Sequence, residues 1–400
     1  MHIIVVYDFG FVNGGAAQVA ITSALALKAA GHHVTYLCAV GPVDPRLQAS
    51  CDQVLCTDQQ DIGSDRHLIR KSVTGLWNRK ARKLLRSLLT GFDANDTIVH
   101  FHGWSKALSP SVLDVPRQMG FAACITLHDY FCVCPNGGLF DYQTNTRCRL
   151  QPMSGACLSC NCDRDRYANK LWRYVRNKIQ DRQLGRSAKT GFIAISDTCA
   201  RTILQTGHLD NPRLTRINNP IVFPAVTRAG RDEADTYLFM GRLSKEKGPA
   251  LFCQALTALG LKGAVLGEGP LKAELAARYP DIEFAGWVEA AGKDRYLRRC
   301  RALIFPSVLM ESFGMSVAEM LAAGIPCIVA TGTAASELIE DGRNGVLFES
   351  GSLDALKRAI RRFETICQDL RGFTFPAASY TMAHHVSALT TLYNRLLTTR

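Results

Sequence analysis

Short apolar runs rich in β-branched residues alternate with longer Ala- and Leu-rich stretches along most of the chain. His2 to Tyr7, His33 to Leu37, Thr97 to Phe101 and Ala122 to Leu127 are apolar at most positions, as strands covered on both faces are. Between the first two lies Ala16 to Ala30, a helical segment closed by Gly31. A second series begins after Asn218-Asn219-Pro220 and the polar stretch Arg228 to Asp235. Its strands are Thr236 to Met240, Ala264 to Leu266, Ile282 to Phe284, Ala302 to Phe305 and Pro326 to Ala330. This alternation predicts parallel sheets with crossover helices. The expected fold is α/β, with two Rossmann-like, doubly wound domains facing across a cleft. Residues 1–220 form the first and 221–375 the second. In 376–400, Val386, Leu389, Leu392 and Leu396 recur at helical spacing, which predicts a last helix packing back on the first domain.

Length agrees, because 400 residues exceed one ordinary domain. With 47% hydrophobic and 20% charged residues the chain has the means to build two cores, which excludes a disordered or collagenous class. No apolar run reaches the roughly 18 residues that span a bilayer. The N-terminus reads as a core strand rather than a signal peptide, so a cytoplasmic protein is expected.

The net charge of +12 is regional. Arg66 to Leu89 holds eight basic residues and no acidic one, and Asp163 to Lys189 holds nine basic against three acidic. In the first stretch Ile69, Val73, Leu76, Trp77, Leu84, Leu85 and Leu88 make an apolar stripe at helical spacing, weakened at Gly75. A basic amphipathic helix with Trp predicts contact with an anionic membrane surface, peripheral at its inner face; a face packed on the first sheet is the plainer reading. Trp172, Arg173, Arg176 and Lys178 are candidates to extend that surface. Nucleic acid is not expected, since neither a stacking module nor a helix-turn-helix pattern accompanies the charge.

Three glycine turns each follow a strand and precede a helical segment, where backbone N–H groups can meet a phosphate. They are Gly14-Gly15, the stretch Gly241 to Gly248, and Gly267-Glu268-Gly269-Pro270. The second places Arg242 and Lys247 at a strand's carboxyl end, where two cations suit a pyrophosphate. The stretch Glu311 to Glu319 follows another strand. With a helix starting near Gly314, the N–H groups of Phe313, Gly314 and Met315 can face an anion while Glu311 and Glu319 flank it. Plainer roles remain open: tight turns for the glycines, a solvated loop for the cations, a cap for Glu311.

In order and spacing, these residues resemble the family-4 retaining glycosyltransferases of GT-B architecture. The carriers are Gly14-Gly15, Thr126-Leu127-His128-Asp129, Ala194-Ile195-Ser196, Gly241-Arg242-Leu243 with Lys247-Gly248, Gly267-Glu268-Gly269-Pro270 and the Glu311/Glu319 pair. The resemblance covers Met1 to about Ser350. It implies transfer of a sugar from a UDP- or GDP-sugar to a glycan acceptor such as a lipid-linked oligosaccharide of envelope or exopolysaccharide synthesis, with no catalytic metal. By the same resemblance the first domain binds the acceptor and the second the donor. Arg242 and Lys247 would hold the diphosphate, Glu311 the sugar hydroxyls and Glu319 the ribose. Ser312, Phe313, Gly314 and Met315 would supply backbone donors, and Trp287-Val288 would meet the base. His128 would lie beside the transferred sugar, with Gly14 and Gly15 closing over it. A nucleotide-sugar epimerase of the same architecture, or a non-catalytic subunit of a glycan pathway, is the alternative.

Six of the 15 cysteines lie between Cys132 and Cys162, in a Gly/Asn/Pro-rich insertion without helical or strand periodicity. Cys134, Cys148, Cys157 and Cys160 are a candidate tetrahedral set for a structural zinc, since a small loop without a core gains most from a metal; reduced thiols are the other reading.

Overall fold

A computed structural model of the chain describes residues 1–64, 67–184, 188–209, 213–223, 234–370 and 372–399. Arg66 and positions 228–233 of the polar stretch therefore lie outside the described residues. The chain divides into two compact units: Met1–Gly138 with Arg149–Pro220 and Ser379–Arg400, and Leu139–Cys148 with Ile221–Ala378.

In the first unit the strands are β1 (His2–Val6), β2 (His33–Cys38), β3 (Gln53–Cys56), β4 (Thr97–Phe101) and β5 (Ala122–Leu127). A hairpin, β6 (Phe140–Asp141) and β7 (Thr146–Arg147), belongs to the second unit, and the first sheet then resumes with β8 (Thr190–Ala194) and β9 (Leu214–Arg216). The sheet runs β3-β2-β1-β4-β5-β8-β9 with every pair parallel. β4 and β5 are buried at every position, which is why they read as mostly apolar runs. The edge strands β3 and β9 are half exposed and carry no such run.

In the second unit β10 (Thr236–Met240), β11 (Lys262–Leu266), β12 (Glu283–Gly286), β13 (Cys300–Phe305), β14 (Cys327–Ala330) and β15 (Gly345–Phe348) form a parallel sheet ordered β12-β11-β10-β13-β14-β15. Successive residues of β10 serve opposite faces. Tyr237 and Phe239 pack with Phe252, Leu256 and Phe363, while Leu238 and Met240 pack with Leu297, Val317 and Leu321. Both sheets reverse strand order next to their central strand, the doubly wound arrangement that puts ligands at the strands' carboxyl ends.

The helix Met382–Thr398 belongs to the first unit. Leu389, Leu392, Tyr393 and Leu396 are buried along it, and Gly191 of β8 leaves the space that Leu396 occupies.

Candidate active site

Four loops at the carboxyl ends of β10 to β13 carry the residues expected on a nucleotide sugar. After β10, a single 3₁₀ turn, Lys245–Lys247, leads to Gly248, which caps the helix Pro249–Leu259 with φ 73°. Arg242 is exposed, whereas Leu243 and Ser244 are buried and anchor the loop. The loop after β13 is laced to it: Val308 N and Leu309 N both donate to Glu246 O, at 3.0 and 3.2 Å. Lys247 Nζ and Ser307 Oγ both donate to Glu311 Oε1, at 2.6 and 2.7 Å. One ammonium N–H is thus committed to the carboxylate.

Gly314 caps the helix Met315–Ala322, whose first backbone bond runs from Ala318 N to Gly314 O at 3.0 Å. Its N–H groups without a partner inside the helix are therefore those of Gly314, Met315, Ser316 and Val317, which include Gly314 and Met315 of the three expected. Phe313 is buried and fixes the entry to the helix. Glu319, one turn in, pairs with Lys293 Nζ at 3.2 Å. After β11, Gly267 has φ 152° and packs so closely on Gly241 O that a Cβ would collide with it; Gly267 N donates to Gly286 O at 2.7 Å. This close approach brings the β10, β11 and β12 loops together. Trp287 follows with 64% of its surface exposed, an indole left uncovered beside them, and Val288 packs on the core. Lys272, then the Trp287 backbone N–H, hold the Glu268 carboxyl below its usual range.

In the first unit Gly14 caps the helix Gly15–Ala29. His128 follows β5, and its Nε2 lies 2.9 Å from His102 Nδ1 with the rings nearly parallel. His102 follows β4, within which His100 bonds Thr126 Oγ1 at 2.7 Å and the Tyr393 hydroxyl at 2.6 Å. Burial lowers the pKa of all three imidazoles, His128 to about 3, so they are neutral at pH 7. His102 Nε2 is buried with no partner among the described residues. An orphaned acceptor costs less than an orphaned N–H, so the proton belongs on His102 Nδ1 and is donated to His128 Nε2. That fixes His128 as the Nδ1–H tautomer. The expectations from sequence did not include His100 and His102. Their signal was the spacing His100-Phe101-His102 at the end of a strand, which puts both imidazoles on one face. Nor was Asp8 expected, a buried carboxylate accepting from Lys106 N, Ala107 N and Leu108 N at 2.8 Å each.

The zinc expectation does not fit the structure. Among the described residues no group of three or more His, Cys, Asp or Glu is arranged to hold a metal ion, so Cys134, Cys148, Cys157 and Cys160 form no ligand set. An ammonium organises the segment instead. Lys170 is fully buried, and its Nζ donates to the carbonyls of Cys157, of Leu158 at 3.0 Å and of Cys160 at 2.9 Å. Asn136 Nδ2 ties Cys162 O at 2.7 Å, and Arg173 pairs with Asp163.

The basic run forms two helices, Leu68–Leu76 and Arg79–Leu89, broken at Asn78, which caps the second, and not at Gly75. Gly75 is instead where the Trp172 indole packs, with Nε1 donating to Ser72 O at 3.1 Å. Ala81, Leu85 and Leu89 of the second helix are buried, so its apolar face is core. Val73 stays exposed. Arg176, placed on the surface by sequence, is buried between Phe131 and Trp172 with Nη1 donating to Ser105 O at 2.7 Å. A cavity of about 890 Å³ opens beside the two helices, its lining including Arg70, Lys71, Arg79 and Lys80 together with Trp77 and one carboxylate, Asp58.

Residues 13–222 match the family model described as Glycosyltransferase Family 4, and residues 234–365 match the one described as Glycosyl transferases group 1. The chain belongs to glycosyltransferase family 4. The first match of this family-4 chain lies almost wholly in its first unit and the second in its other unit. It is 28% identical over 181 residues to phosphatidyl-myo-inositol mannosyltransferase of Mycobacterium leprae, covering 42% of this chain and 48% of that protein. It is 31% identical over 132 residues to D-rhamnosyltransferase WbpZ of Pseudomonas aeruginosa, covering 31% and 35%. The aligned region thus spans half or less of these relatives. Among solved structures, Anabaena HepE in complex with UDP superposes with TM-score 0.63 at 15% identity, over 99% of this chain and 98% of that one. A Rickettsia africae glycosyltransferase does so with TM-score 0.65 at 16% identity, over 100% and 99%. At such identities the superpositions establish the fold, GT-B with two Rossmann-like domains.

Proposed function

We propose that this family-4 chain is a retaining, metal-independent glycosyltransferase that moves a hexosyl or N-acetylhexosaminyl group from a UDP- or GDP-sugar to a glycan acceptor. The observation that carries the reading is the Lys247–Glu311 pair at 2.6 Å, beside the start of the helix Met315–Ala322 and the β10 loop bearing Arg242. Breaking the bond between sugar and diphosphate builds negative charge on the leaving phosphate. Two cations and a helix N-terminus, fixed before the reaction, stabilise that charge without a metal. Glu311 accepts from sugar hydroxyls, Glu319 from the ribose, and Trp287-Val288 covers the base. In the retaining route the acceptor hydroxyl attacks the face from which the diphosphate departs and gives its proton to the leaving phosphate oxygen, so no protein nucleophile is needed. A neutral His128 polarises or orients rather than removing a proton.

The relatives support a donor of this class: one is named for mannosyl transfer and one for rhamnosyl transfer, and HepE was solved with UDP-glucose. We assign acceptor binding to the first unit, with a lipid-linked oligosaccharide as the acceptor and an anionic membrane surface as its setting. The support is the cation-lined cavity and exposed Val73; no described helix is long and apolar enough to cross a membrane. A thermal-shift series over UDP, GDP, UDP-sugars and GDP-sugars tests the donor reading, because a bound ligand raises the melting temperature with the logarithm of its concentration. One nucleotide class should stabilise the protein; no stabilisation by any would refute the reading.

A further inference from the structure

Residues Leu139–Cys148 come from the first half of the sequence, inside the cysteine-rich insertion, yet belong to the second unit. They form the β6–β7 hairpin, in which Phe140 stands opposite Arg147 and Cys148 N donates to Leu139 O at 2.8 Å. Phe140 is buried and gives the hairpin an apolar foot. From β7, Arg147 Nε donates to Val308 O at 3.1 Å and Nη2 donates to Thr331 O at 2.9 Å. Those carbonyls lie on different loops. One loop runs from β13 through Glu311 to Gly314, and the other follows β14. The two also touch directly: Ala334 N donates to Glu311 O at 3.3 Å, and a Cβ on Gly314 would lie 2.5 Å from Ala335 Cβ.

The arginine has a built seat. At Gly332, φ is 73°, and a Cβ there would collide with the guanidinium. Among the described residues no carboxylate forms an ion pair with Arg147, so its N–H groups serve carbonyls rather than charge balance. A planar guanidinium reaches two diverging acceptors at once, which a lysine ammonium on one stem does poorly.

We propose that Arg147 is a positioning residue of the nucleotide-sugar site: it staples the Glu311 loop to the loop after β14 and so fixes the carboxylate that meets the donor sugar. The inference rests on the donor reading above and makes the insertion part of the donor site. It separates two ligand classes. Glu311 meets the sugar, whereas Arg242, Lys247 and the helix N-terminus hold the diphosphate, so loosening the staple weakens sugar recognition first.

Calorimetric titration of wild type, Arg147→Ala and Arg147→Lys with UDP-glucose, GDP-mannose, UDP and GDP tests it. Arg147→Ala should weaken the nucleotide sugar about tenfold while the matching free diphosphate changes less than about twofold. Arg147→Lys should recover part of the loss, and Arg147→Ala should add little in a Glu311→Gln background. Equal weakening of sugar and free diphosphate, or no weakening of either, would overturn the proposal. A wild type that binds none of the four ligands removes the donor reading itself, and the inference with it. Should Arg147→Ala fail to fold, Arg147→Lys and Gly332→Ala carry the same comparison, the latter crowding the guanidinium from its seat.

Discussion

At Lys247, one ammonium meets the Glu311 carboxylate at 2.6 Å, at the place proposed for the donor diphosphate. Lys247→Ala removes a charge needed most when the leaving group forms, so kcat/KM should fall about 100-fold with an unchanged far-UV circular dichroism spectrum. A loss under threefold would argue that the lysine is only Glu311's structural partner. The histidines give a second prediction. Burial holds His128 at about 3 and His385 at about 4, with His100 and His102 also low, whereas unfolded histidine titrates near 6.5. Between those values the unfolded chain binds protons that the native chain does not, so stability rises with pH. The contribution is complete above the unfolded pKa and is lost on acidification, at up to about 1.4 kcal/mol per pH unit for each histidine. Melting temperature should drop steeply from pH 7 to pH 5; a flat profile would contradict the neutral assignment.

At the scale of elements, the cysteine-rich insertion is held by Lys170 and its three carbonyls rather than by metal. Lys170→Met leaves Cys157 O without the ammonium, while Leu158 O keeps the Tyr167 hydroxyl and Cys160 O keeps Cys162 N, which should cost about 1–3 kcal/mol in urea unfolding. Incubation with a chelator should leave the melting temperature unchanged, because the described residues form no ligand set to be emptied. A chelator-induced drop would restore the zinc reading. The basic helices show a similar change of role. Their stripe is partly core, since Ala81, Leu85 and Leu89 are buried, and the cations on the outer face and in the cavity carry the membrane proposal. Sedimentation with liposomes tests it: binding should require anionic lipid and weaken with salt.

For the molecule as a whole, the chain returns to its first unit at Ser379. The final helix buries Leu389, Leu392, Tyr393 and Leu396 there, bonds His100 through the Tyr393 hydroxyl, and places His385 Nε2 3.0 Å from Ser23 Oγ. At about 2 kcal/mol for each buried side chain, its loss is comparable with the stability of a whole domain. Truncation after Ala378 should therefore abolish cooperative unfolding of the first unit while leaving a transition for the second. Two intact transitions in the truncated chain would refute this dependence.

The apolar runs of β1, β4, β5, β10 and β14 were legible in the sequence because both faces of those strands are buried. So were the glycine turns, because close approach of loops such as Gly267 to Gly241 leaves no room for a side chain. Spacing also marked Arg242, Lys247, Glu311 and Glu319, since helix and turn geometry act over a few residues. What the sequence left open depended on partners distant along the chain. Arg176 looked like part of a basic face and four cysteines like a zinc site, and nothing in the sequence singled out Lys170. Which cation faced solvent and which lay under carbonyls or rings was decided by packing between segments tens of residues apart. His102 against His128, and Arg147 across Val308 and Thr331, belong to the same class: local pattern sets the elements, but hydrogen bonds over long separations exist only once the chain has closed on itself.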